Sequence, residues 1–245
     1  MAYSRMKITI VQTGAVPSHL QAEHEDYPQM FRKMFGSTGV EGFTFDDIDA
    51  CAADALPDPT TLDAILITGS PAGVYEDHNW LDPLRAFIRS AYAGNIPMLG
   101  ICFGHQIIAD ALGGEVRKSE KGWGLGRHTY SVANDLPFAR ELPAVINVAC
   151  SHQDQVITPP SEARVFLSSP FAPNAGLTYA NGVTLTLQPH PEFEDSYAQA
   201  LVEMRRGRAT DDVIETALQS MRINSDSMAL RHTIMRFFSA ASSLR

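Results

Sequence analysis

The chain has 245 residues, 44% apolar and 19% charged, a mix that can bury a sizeable core and argues against disorder. Its 19 Lys and Arg against 28 Asp and Glu give a formal net charge of −9, which disfavours nucleic acid and anionic membrane as partners, since both select clustered cations. The three cysteines, Cys51, Cys102 and Cys150, form no C-x-x-C pair and are odd in number. That argues against a disulfide framework or zinc knuckle and suits a cytoplasmic protein with reduced thiols.

Taken in chain order, the segment from Met1 leads into Ile8-Thr9-Ile10-Val11, too short for a signal-peptide core and read as a strand over 7–11. No stretch reaches the apolar length needed to span a bilayer. Met30, Phe31, Met34 and Phe35 share one face of a helix over 27–35. Residues 64–67 read as a buried strand ending in Thr68-Gly69-Ser70-Pro71, and 80–92 as a helix. A second buried strand, 97–101, runs straight into Cys102 and a helix over 104–112. Between 115 and 188 the pattern turns β-like, with runs at 129–132, 145–149, 164–167 and 183–187 suggesting a meander that extends or flanks the main sheet. Helical spacing returns after Glu194, at 213–221 and at 230–241. The order predicts an α/β fold with a doubly wound, mostly parallel sheet covered on both faces. One domain over 1–245 is expected, with a core of about 1–206 and a helical tail over 207–245; the acidic runs 23–26 and 46–47 read as solvated faces.

The densest chemical signal is Gly100-Ile101-Cys102-Phe103-Gly104-His105-Gln106, at a strand end and helix start. This G-x-C-x-G is a thiol form of the nucleophile elbow, in which small flanking residues permit the turn that presents the side chain. The following helix N-terminus favours a thiolate. A buried structural cysteine is the bland alternative. The second block is Gln188-Pro189-His190-Pro191-Glu192-Phe193. His190 can move protons for a thiol nucleophile, and Glu192, two residues on in extended backbone, can orient the imidazole. Alone, a His-x-Glu is as readily a surface turn.

Together these blocks resemble the class I glutamine amidotransferase family. Two more occur in the same order: Ser151-His152-Gln153-Asp154-Gln155-Val156 is similar to its S-H-x-D-x-V segment, and Thr68-Gly69-Ser70-Pro71 stands where the family places an oxyanion loop. The likeness covers about residues 40 to 200. It implies a flavodoxin-like sheet and a γ-glutamyl thioester on Cys102, with His190 as base and acid and Glu192 orienting it. It also implies that backbone N–H groups of Phe103 and of Gly69 or Ser70 stabilise the oxyanion, each worth about 3–4 kcal/mol. Gln106, Ser151 and His152 would hold the amino-acid end of glutamine, and no cofactor or metal is implied. Ser70 stands where many members have glycine, which points to a preformed loop. The match over 121–126 is too loose to transfer contacts. His105 is read as packed structure, Cys150 as a buried strand residue and Cys51 as inert. His19, His24 and His78 lack metal-ligand spacing.

The substrate expected is small, either glutamine or another γ-glutamyl compound. No P-loop is present, and no residues remain for an ATP-using synthetase domain. The sequence therefore leaves open a free-standing hydrolase, a glutaminase subunit serving a separate synthetase or acceptor protein, and a homodimer formed through the tail. A binding or redox-sensing protein on the same fold is the alternative from another class, and it would not need His190 and Glu192 together.

Overall fold

The computed structural model describes residues 5–52 and 55–242. Strands β1 (Met6–Gln12), β2 (Phe43–Asp49), β3 (Ala64–Ile67) and β4 (Met98–Ile101) are joined by β11 (Thr184–Leu187) into a parallel block. From β11 the sheet continues antiparallel through β10 (Gly176–Tyr179), β9 (Ala163–Ser168), β6 (Gly124–Val132) and β7 (Val145–His152). The nine-stranded order is β2-β1-β3-β4-β11-β10-β9-β6-β7, and β5 (Glu115–Lys118) pairs separately with β8 (Asp154–Thr158). The expected meander thus extends the main sheet, and its last segment returns to the centre beside β4.

Side-chain alternation assigns the two faces. Ile8, Ile10, Leu66, Leu99, Ile101, Leu185 and Leu187 point to one cluster, shared with α1 (Tyr27–Gly36) and α6 (Ser227–Ser242). Val11, Ile65, Ile67 and Met98 point to the other, covered by α2 (Leu81–Ala93) and α3 (Phe103–Ala111). Leu230, Ile234, Phe237 and Phe238 of α6 therefore share the cluster that holds β1. Two shorter helices, α4 (Asp195–Met204) and α5 (Asp211–Ser220), lie against β6 and β7. Arg127 of β6, almost fully buried, ties them together: it pairs with Asp195 and donates to the carbonyls of Met221 and Ile223.

Several boundaries differ from the sequence reading for identifiable reasons. Pro97 lies outside β4 because it has no N–H for a ladder. Strand β2 was hidden by its acidic composition, Phe43-Thr-Phe-Asp-Asp-Ile-Asp49. It is an edge strand, where charges are tolerated. Its acids are not merely solvated: Asp46 meets Lys7 at 2.9 Å and accepts from Thr9 at 2.8 Å, and Asp47 meets Arg32 at 2.6 Å. Asp26 likewise caps α1 by accepting from the Gln29 N–H at 2.8 Å.

Candidate active site

The carboxyl ends of the parallel strands converge, as open α/β sheets favour for a ligand crevice. Thr13 follows β1, Gly69 follows β3, Cys102 follows β4 and His190 follows β11. Cys102 sits at φ 53°, a left-handed conformation uncommon for a residue with a side chain. Its neighbours explain why the turn needs glycine on both sides. A Cβ on Gly100 would lie 2.5 Å from the Gly104 carbonyl oxygen, and one on Gly104 would collide with the Ile67 backbone. The Cys102 N–H donates to Leu187 at 2.8 Å, which fixes the elbow to β11. Phe103 is the first residue of α3, so its N–H has no partner within the helix.

His190 is anchored through its own N–H, which donates to Ala149 at 2.8 Å. Its Nδ1 lies 2.6 Å from Glu192 Oε1, and the ring stacks on Phe193 with centroids 3.9 Å apart and planes within 7°. His190 and Glu192 are 4% and 3% exposed, so the pair is dry and strongly coupled. Burial alone would lower the His190 pKa, but Glu192 and the Cys102 thiol opposite together raise it to about 10. Arg231 of α6 donates to the Pro191 carbonyl at 2.8 Å, between the two side chains. Gly69 lies against both halves of the site: a Cβ there would sit 3.3 Å from His190 Cε1 and 3.8 Å from Cys102 Cβ. Its loop is pinned from β1, since the Thr13 N–H donates to Thr68 Oγ1 at 3.0 Å and Thr13 Oγ1 to the Thr68 carbonyl at 3.0 Å.

A cavity of about 250 Å³ opens over Cys102, and Ser70, Gln106, Ser151 and His152 all line it. Gln106 donates to the Asp154 carbonyl at 2.9 Å and to Gln188 Oε1 at 3.2 Å, while Gln188 Nε2 lies 3.6 Å from the Cys102 sulfur. Ser151 Oγ and His152 Nε2 are buried without a protein partner. Burial, reinforced by His128, lowers the His152 pKa to about 3, so that ring is neutral. Asp154 is raised above the usual carboxylate range by burial, against opposing contacts from Tyr75 and Lys118. His105 is packed away from the cavity, its Nδ1 2.8 Å from Thr186 Oγ1 and its pKa lowered to about 3 by burial. Burial pushes the Cys150 thiol up to about 12. Cys51 is exposed and is not among the residues lining this cavity. Gln188, inside the motif of His190, and Trp123, in the loosely matched segment 121–126, carry no signal of their own in the sequence; Trp123 also lines the cavity.

A flavodoxin-like sheet with an elbow cysteine beside a buried His–Glu pair defines a thiol-dependent amidohydrolase architecture. Residues 27–204 match the family model described as glutamine amidotransferase class-I, and the chain belongs to that family of cysteine-nucleophile hydrolases. It is 29% identical over 186 residues to gamma-glutamyl peptidase 3 of Arabidopsis thaliana, covering 72% of this chain and 73% of the relative. It is 34% identical over 133 residues to a glutamine-hydrolysing GMP synthase subunit of Sulfolobus acidocaldarius, covering 54% of this chain and 69% of the relative. The crystal structure of a glutamine amidotransferase from Methylobacillus flagellatus superposes with a TM-score of 0.75 at 20% identity, covering 98% of this chain and 95% of that one. No helix among the described residues is long and apolar enough to cross a membrane.

Proposed function

We propose that the chain is a free-standing hydrolase of γ-glutamyl amide bonds, with Cys102 as nucleophile, His190 as proton carrier and Glu192 as its orienting partner. The observation that carries this reading is the juxtaposition of the elbow thiol, which lines the cavity, with the buried His190–Glu192 pair. The Cys102 sulfur attacks the γ-carbonyl carbon, forming a C–S bond while the carbonyl electron pair moves to oxygen. The N–H groups of Phe103 and of Gly69 or Ser70 donate to that oxyanion in this reading. Collapse breaks the C–N bond, and the His190 imidazolium gives its proton to the departing nitrogen. Water then attacks the thioester and gives a proton to neutral His190. The C–S bond breaks, glutamic acid leaves, and the thiolate–imidazolium pair is restored. No step calls on a cofactor.

Glu76, Asp154 and Lys118, whose charges are felt together at Asp154, mix both signs in the cavity lining, to which Ser151 and His152 also belong. That mixture suits a zwitterionic α-amino-acid group, with Gln106 bracing the wall. A pocket that pairs both charged ends leaves buried groups unsatisfied when either is missing. The purified chain should therefore release glutamate and amine from glutamine or γ-glutamyl amides and peptides. Cys102→Ala should abolish this, and a glutamine-like electrophile should add mass at Cys102 alone. Labelling that lands on Cys150 or Cys51, or turnover that survives the substitution, refutes the assignment.

A second reading, a glutaminase subunit that hands ammonia to a separate synthetase, draws support from the similarity to the GMP synthase subunit. Activity confined to glutamine and appearing only with a second protein would select it. The loop pinned by Thr13 and Thr68 favours the free-standing enzyme, because it is already placed beside Cys102. The extension beyond Gly207 is proposed to belong to the same single domain, a view supported by the packing of α6 into the β1 core.

A further inference from the structure

The described arginines that are not surface-exposed are Arg32, Arg85, Arg127, Arg205, Arg231 and Arg236. Five of them have a carboxylate within ion-pair distance; Arg205 has none. Its Nε is buried without a hydrogen-bond acceptor, and its guanidinium lies 4.1 Å above the Trp123 ring. Arg205, Trp123 and the exposed Arg208 all line the Cys102 cavity. A half-buried, unpaired cation beside a second cation is unfavourable, and in a chain of net charge −9 acids to relieve it are plentiful. Glu76 and Asp154 line the same cavity, yet no carboxylate lies within ion-pair distance of Arg205. Burial and then the neighbouring Arg208 lower the Arg205 pKa, outweighing the acidic side chains of Tyr27, Cys102 and Tyr197 nearby, none of which is a carboxylate. The two groups have different neighbours: Asp154 has Tyr75, Lys118 and Glu76, whereas Arg205 has Arg208, Tyr27, Cys102 and Tyr197.

We propose that Arg205, stacked on Trp123, and Arg208 form the leaving-group subsite of this cavity and select γ-glutamyl substrates whose departing amine carries a carboxylate, as in γ-glutamyl amino acids and peptides. This rests on the γ-glutamyl hydrolase reading and adds the chemistry of the other half of the substrate. The mixed-charge group of Glu76, Asp154 and Lys118 takes the α-amino-acid group, the scissile amide lies over Cys102, and the carboxylate of the departing amine pairs with the guanidinium. The Trp123 face holds that guanidinium in place while its N–H groups stay available.

The test compares γ-glutamylglycine with γ-glutamylglycinamide, which differ only in that carboxylate. For the wild type, kcat/KM should be at least about tenfold higher for γ-glutamylglycine, with the ratio shrinking as salt is added. Arg205→Met should bring the ratio to within about twofold of unity, and Arg205→Lys, which keeps a cation, should restore part of it. Arg208→Gln, at an exposed position where folding is not at stake, should lower the ratio by a smaller factor. Equal hydrolysis of the two compounds by the wild type, or a ratio unmoved in every variant, overturns the subsite. Hydrolysis of glutamine but of neither test compound also overturns it while leaving the hydrolase reading standing. If no γ-glutamyl compound is turned over and Cys102 takes no adduct, the hydrolase reading falls first and the subsite with it.

Discussion

His190 is the site imidazole whose charged form is favoured by its surroundings. Its folded pKa of about 10 lies above its ordinary value of 6.5, so the charged pair with Glu192 stabilises the fold fully below about pH 6.5. That contribution is lost as pH rises through about 10. Urea unfolding midpoints of the wild type should therefore fall over this window, and those of Glu192→Gln should fall less. Parallel decline in the two proteins would contradict the coupling. His190→Asn should lower kcat by about 10²–10⁴, since both proton transfers lose their carrier, and Glu192→Gln should cost less. Gln188 offers a subtler case: with its Nε2 3.6 Å from the Cys102 sulfur, it can donate to a thiolate. Gln188→Leu should slow alkylation of Cys102 at pH 7 severalfold, measured against an unchanged circular dichroism spectrum. An unaltered alkylation rate would remove Gln188 from the site.

Among the elements, the turn between β4 and α3 shows how tightly packing and presentation are linked. A Cβ at Gly100 would press within 2.5 Å of the Gly104 carbonyl and 2.7 Å of Ile108 Cδ1. Gly100→Ala should cost about 1–3 kcal/mol of stability by overpacking, and activity should fall further because Cys102 shifts. In α6, Phe238 is fully buried against Phe35 and Phe43. Phe238→Ala should destabilise by about 3–5 kcal/mol in denaturant titrations, whereas a loosely attached tail would lose almost nothing. The elements legible in the sequence were those with strong periodicity: β3 and β4 as unbroken apolar runs, α1 and α2 as amphipathic stripes. Strands β5 and β8 escaped because they pair only with each other and carry mainly polar residues, and β10 because it is four residues long and starts at a glycine. Cys102, His190 and Glu192 were readable because each lies in a dense local motif. Gln188 was not assigned a role because its contact spans 86 positions, and Arg205 because only the fold shows that no acid meets it.

For the whole molecule, the site is assembled from both ends of the described chain. Thr13 braces the loop after β3, and Arg231 grips the turn that carries His190 and Glu192, bonding Pro191 and Ser37 at once. Arg231→Met should therefore lower kcat more than it raises KM, and thermal unfolding should show a loss of stability as well. A variant with normal kcat and reduced stability alone would make Arg231 purely structural. The same grip sets an order of events during synthesis. Every described strand is synthesised before residue 190, yet the backbone holding His190 acquires its last anchor only when position 231 emerges. A nascent chain can thus complete its sheet and display Cys102 while the turn that carries its proton carrier still lacks its last brace, and full hydrolytic competence arrives late, with the closing helix.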